Sequence, residues 1–392
     1  MLSQIIQSQN KRAVYIHIPF CEHICYYCDF NKVYLEGQPV DEYVDLLVRE
    51  MELKTAQDRV NHQKETVQSI YIGGGTPSVL TLGQFERLFK GIYDCFNLQP
   101  DGEFTIEMNP NNVSQEVLAL FKTYGVNRLS VGVQSFDDDL LKRIGRTHSK
   151  SVAIDAFHQI ERAGFDNVSM DLIFRLPHQS IEQYQASLDT ALSIDLPHYS
   201  VYSLILERKT VFYNLMRLGK LPLPSEDTEV EMFARTMQQM EANGRHHYEI
   251  SNYGKPGYES QHNLAYWNRV DYYGFGAGAH GLINNVRYQN LGPIQHYLNP
   301  LRNHELPILE QNELTSRQQM EEFFFLGLRK MEGVNFQTFE QQFNQSVASI
   351  YQETIDHLKH IELIESTAQG IKLSPQGVYL GNDVFQAFLL ED

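Results

Sequence analysis

The amino-acid sequence predicts an α/β fold: a partial, TIM-like (β/α)6 barrel followed by a mostly helical, winged-helix-like carboxyl-terminal domain. Two observations predict the barrel. Between Ala13 and Leu204, short β-branched or aromatic runs alternate with longer amphipathic segments, a pattern typical of parallel βα units. Polar or turn-forming residues follow these runs, as expected at the edge of a parallel sheet that carries the site. Because six units fall short of the eight of a closed barrel, we favour an incomplete barrel over the alternative, a doubly wound sheet.

The predicted barrel elements follow one another along the chain. The six strands are predicted at residues 13–18, 67–72, 103–108, 128–133, 168–174 and 199–204. Helical spacing of apolar residues predicts a crossover helix carrying Leu82, Phe85, Leu88, Phe89, Ile92 and Phe96. A second crossover helix is predicted from Val152, Phe157 and Ile160.

The remaining third of the chain has a different pattern. Residues 226–243 predict a helix, and residues 248–281 are rich in Gly, Asn, Tyr and His without periodicity, which indicates a functional loop region. Helical runs and a small hairpin then predict the winged-helix-like domain, in segments 315–331, 336–344, 347–360, 363–364, 371–373 and 376–390. We therefore predict three parts: a core at 1–240, a connecting segment at 241–300 and a carboxyl-terminal domain at 301–392.

Charge and hydropathy exclude several classes of protein. The chain has 32 Lys and Arg against 49 Asp and Glu, a net charge of −17 that argues against nucleic acid as a partner. In the last part of the chain acidic residues outnumber the basic ones, which are Lys359 and Lys372. This charge balance favours a packing or partner surface over DNA binding there. No apolar run approaches the ~20 residues of a membrane helix, and residues 1–10 contain no recognisable leader, so we expect a cytoplasmic protein.

Three of the four cysteines, Cys21, Cys25 and Cys28, form a C-x3-C-x2-C cluster directly after the first predicted strand. Cys95 lies on a predicted helix and is interpreted as a small core residue. A structural zinc site needs four ligands, so zinc is the weaker interpretation, although His17 or His23 could complete one. An iron-sulfur cluster held by three thiolates leaves one iron open. The amine and carboxylate of an amino acid, which S-adenosylmethionine supplies, could chelate that iron.

The cysteine triplet and the run Y-I-H-I-P-F-C at residues 15–21 resemble the signature of the radical SAM superfamily and its coproporphyrinogen oxidase-like branch. This resemblance implies a [4Fe-4S] cluster with three Cys ligands and bound S-adenosylmethionine. In the superfamily the reduced cluster cleaves the methionyl sulfonium to a 5'-deoxyadenosyl radical. For this chain, the sequence leaves open whether the ligand is cleaved or only bound.

The resemblance also implies the residues that hold S-adenosylmethionine. The glycine-rich turn after the second predicted strand is similar to the segment that contacts the methionine moiety. Charged and amide side chains near later strand ends occur in the order and spacing of the oxygen-independent oxidases; without the resemblance we would interpret them as helix caps or surface ion pairs. The implied binding residues are Tyr15, Gly74, Gly75, Thr76, Glu107, Gln134, Arg146 and Asp171.

Three features favour the HemW-type proteins over the true oxidases of this branch. Phe30 occupies the position of a fourth oxidase cysteine, and only 20 residues precede Cys21, whereas the oxidases carry a longer arm. The run at 262–267 is similar to the H-N-x-x-Y-W motif of the HemW-type proteins. We predict that His262 ligates or orients heme; the alternative is a hydrogen-bonded structural histidine beside buried aromatic rings. His280 is a second candidate, in a glycine-rich turn for which we prefer a structural role.

The resemblance implies a chaperone that binds heme and passes it to respiratory or storage proteins, with peripheral contact to a membrane. The alternative is an enzyme, an oxygen-independent coproporphyrinogen III oxidase that uses radical SAM chemistry. A third hypothesis, an electron-transfer protein, would not need Gly74, Glu107 and Arg146.

Overall fold

The computed structural model describes residues 12–58 and 64–390. Its strands are, in chain order, β1 (Arg12–Ile18), β2 (Phe20–Cys21), β3 (Val33–Tyr34), β4 (Glu65–Gly74), β5 (Phe96–Met108), β6 (Arg128–Gln134), β7 (Val168–Phe174), β8 (His198–Ser203), β9 (His246–Glu249), β10 (Asn252–Gly254), β11 (Tyr272–Phe275), β12 (His280–Ile283), β13 (Val286–Asn290), β14 (Ile308–Glu313), β15 (Val334–Asn335), β16 (Ile364–Ser366) and β17 (Gly370–Leu373). The α-helices are α1 (Val40–Asp58), α2 (Leu82–Cys95), α3 (Gln115–Thr123), α4 (Asp138–Arg143), α5 (Lys150–Arg162), α6 (Ile181–Ser193), α7 (Val211–Arg217), α8 (Glu226–Ala242), α9 (Gln261–Trp267), α10 (Ile294–Arg302), α11 (Ser316–Gly327), α12 (Phe336–Phe343), α13 (Ala348–His360), α14 (Pro375–Tyr379) and α15 (Gly381–Ala387).

All six predicted strands are present, as β1 and β4 to β8. They lie side by side in chain order and every neighbouring pair is parallel. A doubly wound sheet would reverse this order at a switch point, so the sequential order confirms the barrel-type α/β fold. Within the described residues the sheet does not close, because β9 and β14 form its two free edges.

The segment predicted as an irregular loop, residues 248–281, is instead largely ordered into strands and a helix, so that prediction was wrong. Its strand β11 is a seventh parallel strand, with Tyr272 opposite Ala13 of β1. Strands β12 to β14 continue this edge in antiparallel fashion, and β10 and β9 extend the opposite edge beyond β8. These strands have only three to six residues each. Pairing with distant strands, rather than their own periodicity, stabilises them.

Helix α2 illustrates how the crossover helices cover the sheet. Thr81 starts the helix with a capping box that also involves Gln84. Its apolar face is buried in the main core, including Cys95, which confirms the core interpretation of that cysteine. Phe96 was wrongly placed on this helix: it is the first residue of β5, and its ring packs against Tyr273 and Phe275.

The carboxyl-terminal region has a second core of its own, between Met320 and Phe388. Helices α11 to α13 pack there on a three-stranded sheet of order β15-β17-β16, which confirms the predicted helices and hairpin. The proposed boundary at residue 301 precedes β14, which still belongs to the large sheet. Every helix in the described ranges is too short or too polar to cross a lipid bilayer.

Candidate functional site

A cavity of about 1280 Å³ lies at the carboxyl ends of the parallel strands and is partly walled by the carboxyl-terminal region. Ten of the predicted site residues line it: Cys21, Cys25, Cys28, Gly74, Gly75, Thr76, Glu107, Gln134, Arg146 and Asp171. The fold thus brings together side chains that are up to 150 positions apart in the sequence. Tyr15 and His262 do not line the cavity.

The three clustered cysteines are free thiols on the loop that follows β1. Cys21 ends β2 and accepts a hydrogen bond from Thr76 Oγ1 at 3.5 Å, and Arg146 Nη1 lies 3.7 Å from Cys25 Sγ. Burial raises the pKa of Cys21 and raises that of Cys28 to about 11. A positive charge beside a thiol favours the thiolate, which is the form that binds iron.

The three cysteine thiols fit an iron-sulfur cluster better than a single metal ion. Among the described residues, no three His, Cys, Asp or Glu side chains are close enough together to hold one ion. A cluster binds each thiolate through a different iron and therefore accepts a wider spacing. Cys21, Cys25 and Cys28 line one cavity and would each hold one iron, whereas the zinc alternative lacks a compact set of ligands.

The glycine-rich turn packs the end of β4 against the cysteine loop. Gly74 has φ +116°, and a Cβ atom there would lie 2.5 Å from the His17 ring. A Cβ atom at Gly75 would lie 2.8 Å from the carbonyl carbon of Pro19 and 3.0 Å from Cys21 Sγ. Only glycine allows this approach of the two chain segments, so the turn shapes the wall next to the predicted cluster.

Two carboxylates face the cavity from neighbouring strands. Glu107 accepts hydrogen bonds from the Tyr71 hydroxyl at 2.8 Å and from the Gly74 backbone N–H at 3.0 Å. Asp171 accepts one from the Ser130 hydroxyl at 3.1 Å. Burial raises the pKa of both groups, and burial together with repulsion from Asp171 raises the pKa of Glu107 to about 7. Such fixed acceptors suit hydroxyl groups of a ligand.

Gln134 and Arg146 meet above the backbone of Gly132. Gln134 ends β6 with φ +69°, and β6 has a register shift against β7 at this point. Arg146 Nη2 donates to the Gly132 carbonyl, and a Cβ atom on Gly132 would lie 2.9 Å from Gln134 Nε2. The amide and the guanidinium are therefore neighbours on one wall, where they can recognise a carboxylate.

Tyr71 and Arg128 are among the cavity residues that the sequence interpretation missed. Arg128 is 2% exposed, with Nε 3.8 Å from a Glu103 carboxylate oxygen and Nη2 3.4 Å from His198 Nδ1. The alternation of Ser69 and Tyr71 on one face of β4 could have indicated a polar interior. Arg128 carries no such signal, because an arginine that begins a strand resembles a surface residue.

His262 lies beneath the cavity rather than in it. It is 1% exposed, and its Nδ1 and Nε2 atoms are hydrogen-bonded to Ser69 Oγ at 3.0 Å and to the Tyr266 hydroxyl at 2.9 Å. Burial lowers the pKa of His262 to about 3 and keeps the ring neutral. This is the arrangement of the alternative interpretation, a hydrogen-bonded structural histidine. Iron ligation by His262 stays a prediction, and it requires the ring to give up one of these bonds.

Tyr15 and His280, the other two candidate residues with ring side chains, also lie outside the cavity. The Tyr15 hydroxyl is 2.9 Å from His17 Nδ1, and the Tyr15 ring lies 6.3 Å from that of Tyr71, so its predicted contact with a ligand stays a prediction. His280 begins β12 and is exposed.

Helix α9, which carries the H-N-x-x-Y-W run, closes the amino-terminal side of the barrel. Glu103 accepts hydrogen bonds from the backbone N–H groups of Gln261 at 2.9 Å and His262 at 3.2 Å, and from the Ser260 hydroxyl at 3.4 Å. A carboxylate at a helix amino terminus satisfies N–H groups that have no partner within the helix. We refer to α9 and its Glu103 cap as the floor helix.

Comparisons with known proteins identify the family of this chain. A family model described as the Radical SAM superfamily matches residues 15–191, and one described as the HemN C-terminal domain matches residues 314–380. The chain is 46% identical over 381 residues to the heme chaperone HemW of Bacillus subtilis, covering 97% of this chain and 100% of that protein. It is 44% identical over 384 residues to the heme chaperone HemW of Lactococcus lactis, covering 98% and 99%.

A solved structure shows the same fold. Coproporphyrinogen III oxidase (HemN) from Escherichia coli, described as a radical SAM enzyme, aligns with a TM-score of 0.84 over 99% of this chain and 92% of that chain, at 22% identity. The sequence relatives show the closer relationship, because they cover nearly the whole chain at much higher identity. The chain therefore belongs to the radical SAM superfamily and, within it, to the HemW family.

Proposed function

We propose that this protein is a heme chaperone that binds heme, a [4Fe-4S] cluster and S-adenosylmethionine. One observation carries the proposal: a single cavity is lined both by the thiols and charged groups expected for the cluster and S-adenosylmethionine and by exposed apolar side chains. The relatives named heme chaperone HemW support the same function.

The cofactor part of the proposal assigns roles to residues of this chain. Cys21, Cys25 and Cys28 would hold the cluster, which supplies one electron to a sulfonium when S-adenosylmethionine is bound. Arg146, which lies beside Cys25, balances thiolate charge and offers a planar fork to a carboxylate. The carboxylate of Glu107 accepts hydrogen bonds from ligand hydroxyls at the opposite side of the glycine-rich turn.

The heme part rests on the apolar lining of the cavity. Six large hydrophobic side chains that line it are each more than a third exposed: Phe30, Tyr202, Ile205, Val230, Tyr379 and Leu380. Exposed apolar side chains gathered in one concave surface indicate a binding site for an apolar ligand. The cavity of about 1280 Å³ also exceeds the ~300–1,000 Å³ of a usual small-molecule pocket, which supports the proposal that a planar porphyrin binds beside S-adenosylmethionine.

The test is an anaerobic incubation of the reconstituted protein with coproporphyrinogen III, S-adenosylmethionine and a reductant, together with a hemin titration. We expect one equivalent of heme to bind and coproporphyrinogen III to be recovered unchanged. Conversion to protoporphyrinogen IX would establish the second candidate, an oxygen-independent oxidase, which the complete set of Glu107, Gln134, Arg146 and Asp171 around the cavity favours. Absence of heme binding would contradict the chaperone proposal.

Heme transfer completes the proposal. The recipients are respiratory or heme-storage proteins, reached from the cytoplasm with peripheral contact to a membrane. A spectroscopic assay that follows heme from the loaded protein to an apo-acceptor would measure this step directly.

Replacing Arg146 or Glu107 by alanine should weaken S-adenosylmethionine binding about tenfold to a hundredfold. The physical reason is the loss of one buried, charge-assisted contact, worth about 1.5–3 kcal/mol. Equilibrium binding to the reconstituted variants measures this effect. Arg143→Ala is the matched control, because Arg143 is exposed at the end of the same short helix region and lies outside the cavity. Wild-type affinity in both variants would place the ligand elsewhere.

His262→Gln should lower the free energy of unfolding by about 1–3 kcal/mol, since glutamine can replace only one of the two hydrogen bonds and leaves one buried hydroxyl unpaired. Denaturant unfolding measures this cost, with His280→Gln as an exposed control. The Soret band of bound heme tests the predicted iron ligand independently of stability. A shifted band in folded His262→Gln supports ligation by His262, and an unchanged band excludes it.

A further inference from the structure

The cations that line the cavity differ in whether the protein already supplies acceptors or ion-pair partners for them. Five lysine and arginine side chains line it, and four have acceptors or ion-pair partners within the protein. Lys32 donates to the Cys28 carbonyl, and Arg146 to the Gly132 carbonyl. Arg175 forms an ion pair with Glu229 at 2.9 Å, and Arg128 lies beside Glu103 and His198.

Arg329 is the exception. Within the described residues its guanidinium has no hydrogen-bond partner and no carboxylate within 4.0 Å. Its Nε is buried without an acceptor, as are those of Arg128 and Arg146, but each of those two has an acceptor for another guanidinium nitrogen. Glu249 attracts Arg329 electrostatically, but its carboxylate already accepts hydrogen bonds from Asn252 and from the Ser251 backbone. Burial lowers the pKa of Arg329, as expected for a cation that lacks an anionic partner. A buried donor of this kind is costly unless a ligand satisfies it.

The guanidinium is held in place by two aromatic rings. Its Cζ lies 4.4 Å from the centre of the Trp267 ring and 5.5 Å from that of Phe385. The backbone is fixed as well, since the Ile250 N–H donates to the Arg329 carbonyl at 3.1 Å. Stacking of this type restrains a planar guanidinium without using its N–H donors. The donors therefore remain free for a ligand in the cavity.

We propose that Arg329 is a carboxylate receptor that binds a propionate of the porphyrin, and that Trp267 of the H-N-x-x-Y-W run positions it. The inference rests on the proposed function, because it assumes that the apolar ligand of the cavity is heme. It gives the tryptophan of the run a role that does not involve the iron: Trp267 itself does not line the cavity, whereas Arg329 does. Specificity for heme then comes from one fixed cation facing an acidic edge group of an otherwise apolar ring.

The test compares hemin with hemin dimethyl ester, which lacks free carboxylates, in equilibrium titrations of the full-length protein. We expect wild type to bind hemin about tenfold to a hundredfold more tightly than the ester, as for one charge-assisted contact. Arg329→Gln should lose most of this ratio while its affinity for the ester stays at the wild-type level, which also shows that the cavity is intact. Arg329→Lys should keep part of the ratio, and the exposed Arg162→Gln should keep all of it.

The outcomes separate this inference from the function on which it rests. An unchanged ratio of hemin to ester affinity in Arg329→Gln would overturn the carboxylate receptor and leave the chaperone proposal standing. Equal affinity of wild type for hemin and its ester would do the same. Failure of wild type to bind hemin at all would overturn both. Trp267→Leu tests the positioning role: it should reduce the ratio, as Arg329→Gln does, without reducing the affinity for the ester.

Discussion

Alanine at Cys21, Cys25 or Cys28 is expected to remove the iron-sulfur cluster completely. In the proposed site each thiolate would hold a different iron, and the other described residues around the cavity offer no compact set of ligands that could replace one. After anaerobic reconstitution, iron content should fall from about four atoms per chain to near zero in each variant. In wild type, S-adenosylmethionine should change the electron paramagnetic resonance spectrum of the reduced cluster, because in the proposed site it would bind to the open iron.

Cys95→Ala is the matched control for these variants. Cys95 ends α2 and is buried in the main hydrophobic core, away from the cavity. Its loss should cost a little packing energy and no iron. Retention of four irons in all three cavity variants, or a wild-type spectrum indifferent to S-adenosylmethionine, would remove the assignment.

Gly74→Ala should lower the free energy of unfolding by about 2–6 kcal/mol and abolish binding of S-adenosylmethionine. The positive φ of +116° costs roughly 1–3 kcal/mol for alanine. Displacing the buried His17 ring, 2.5 Å from the new methyl group, adds roughly 1–3 kcal/mol. The same displacement moves the turn whose N–H group orients Glu107. Denaturant unfolding and equilibrium ligand binding measure the two effects.

Gly83→Ala provides the comparison for a glycine without a structural constraint. Gly83 lies in the first turn of α2, has ordinary backbone angles and has no neighbouring atom within 4 Å of a new Cβ. Alanine there should leave ligand binding unchanged and stabilise the helix by up to about 1 kcal/mol. Equal tolerance of alanine at Gly74 and Gly83 would show that the turn does not depend on its backbone conformation.

The extent to which the fold can be predicted from the sequence depends on how local each element's signal is. Strands β1 and β4 to β8 have long β-branched or aromatic runs, and β7 begins and ends at the predicted residues. Strand β11 has four residues, two of them tyrosines and one a glycine, so it has no pattern of its own. It forms because β1 offers a free edge, and this pairing joins residues about 260 positions apart. Local periodicity cannot reveal such a partner.

The residues of the candidate site likewise divide into those with a local sequence signal and those without one. The cysteine spacing and the glycine-rich turn are contiguous motifs, and the cavity brings them together as expected. Arg128 and Arg329 carry no local signal, because their importance comes from having a buried Nε beside the cavity that lacks an acceptor. His262 lies in a recognisable motif, but the hydrogen bonds of its ring to Ser69 and Tyr266 depend on how α9 packs beneath the sheet. The motif predicted a functional role for His262, whereas the hydrogen-bond partners of its ring are visible only in the structure.

The floor helix also has a consequence for the order of events during synthesis. Glu103 and the N–H group of Gln261 are 158 residues apart in the chain. At ~5–20 residues per second, a ribosome needs roughly 8–30 seconds to add the second partner after the first. Throughout that interval the carboxylate of Glu103 remains hydrated, and the nascent barrel is open at its lower side. Strand β1 likewise lacks its neighbour on one side until β11 has been synthesised. The amino-terminal half is therefore expected to leave the ribosome with its interior still accessible to water, and the lower side of the barrel is covered only when the last third of the chain is translated.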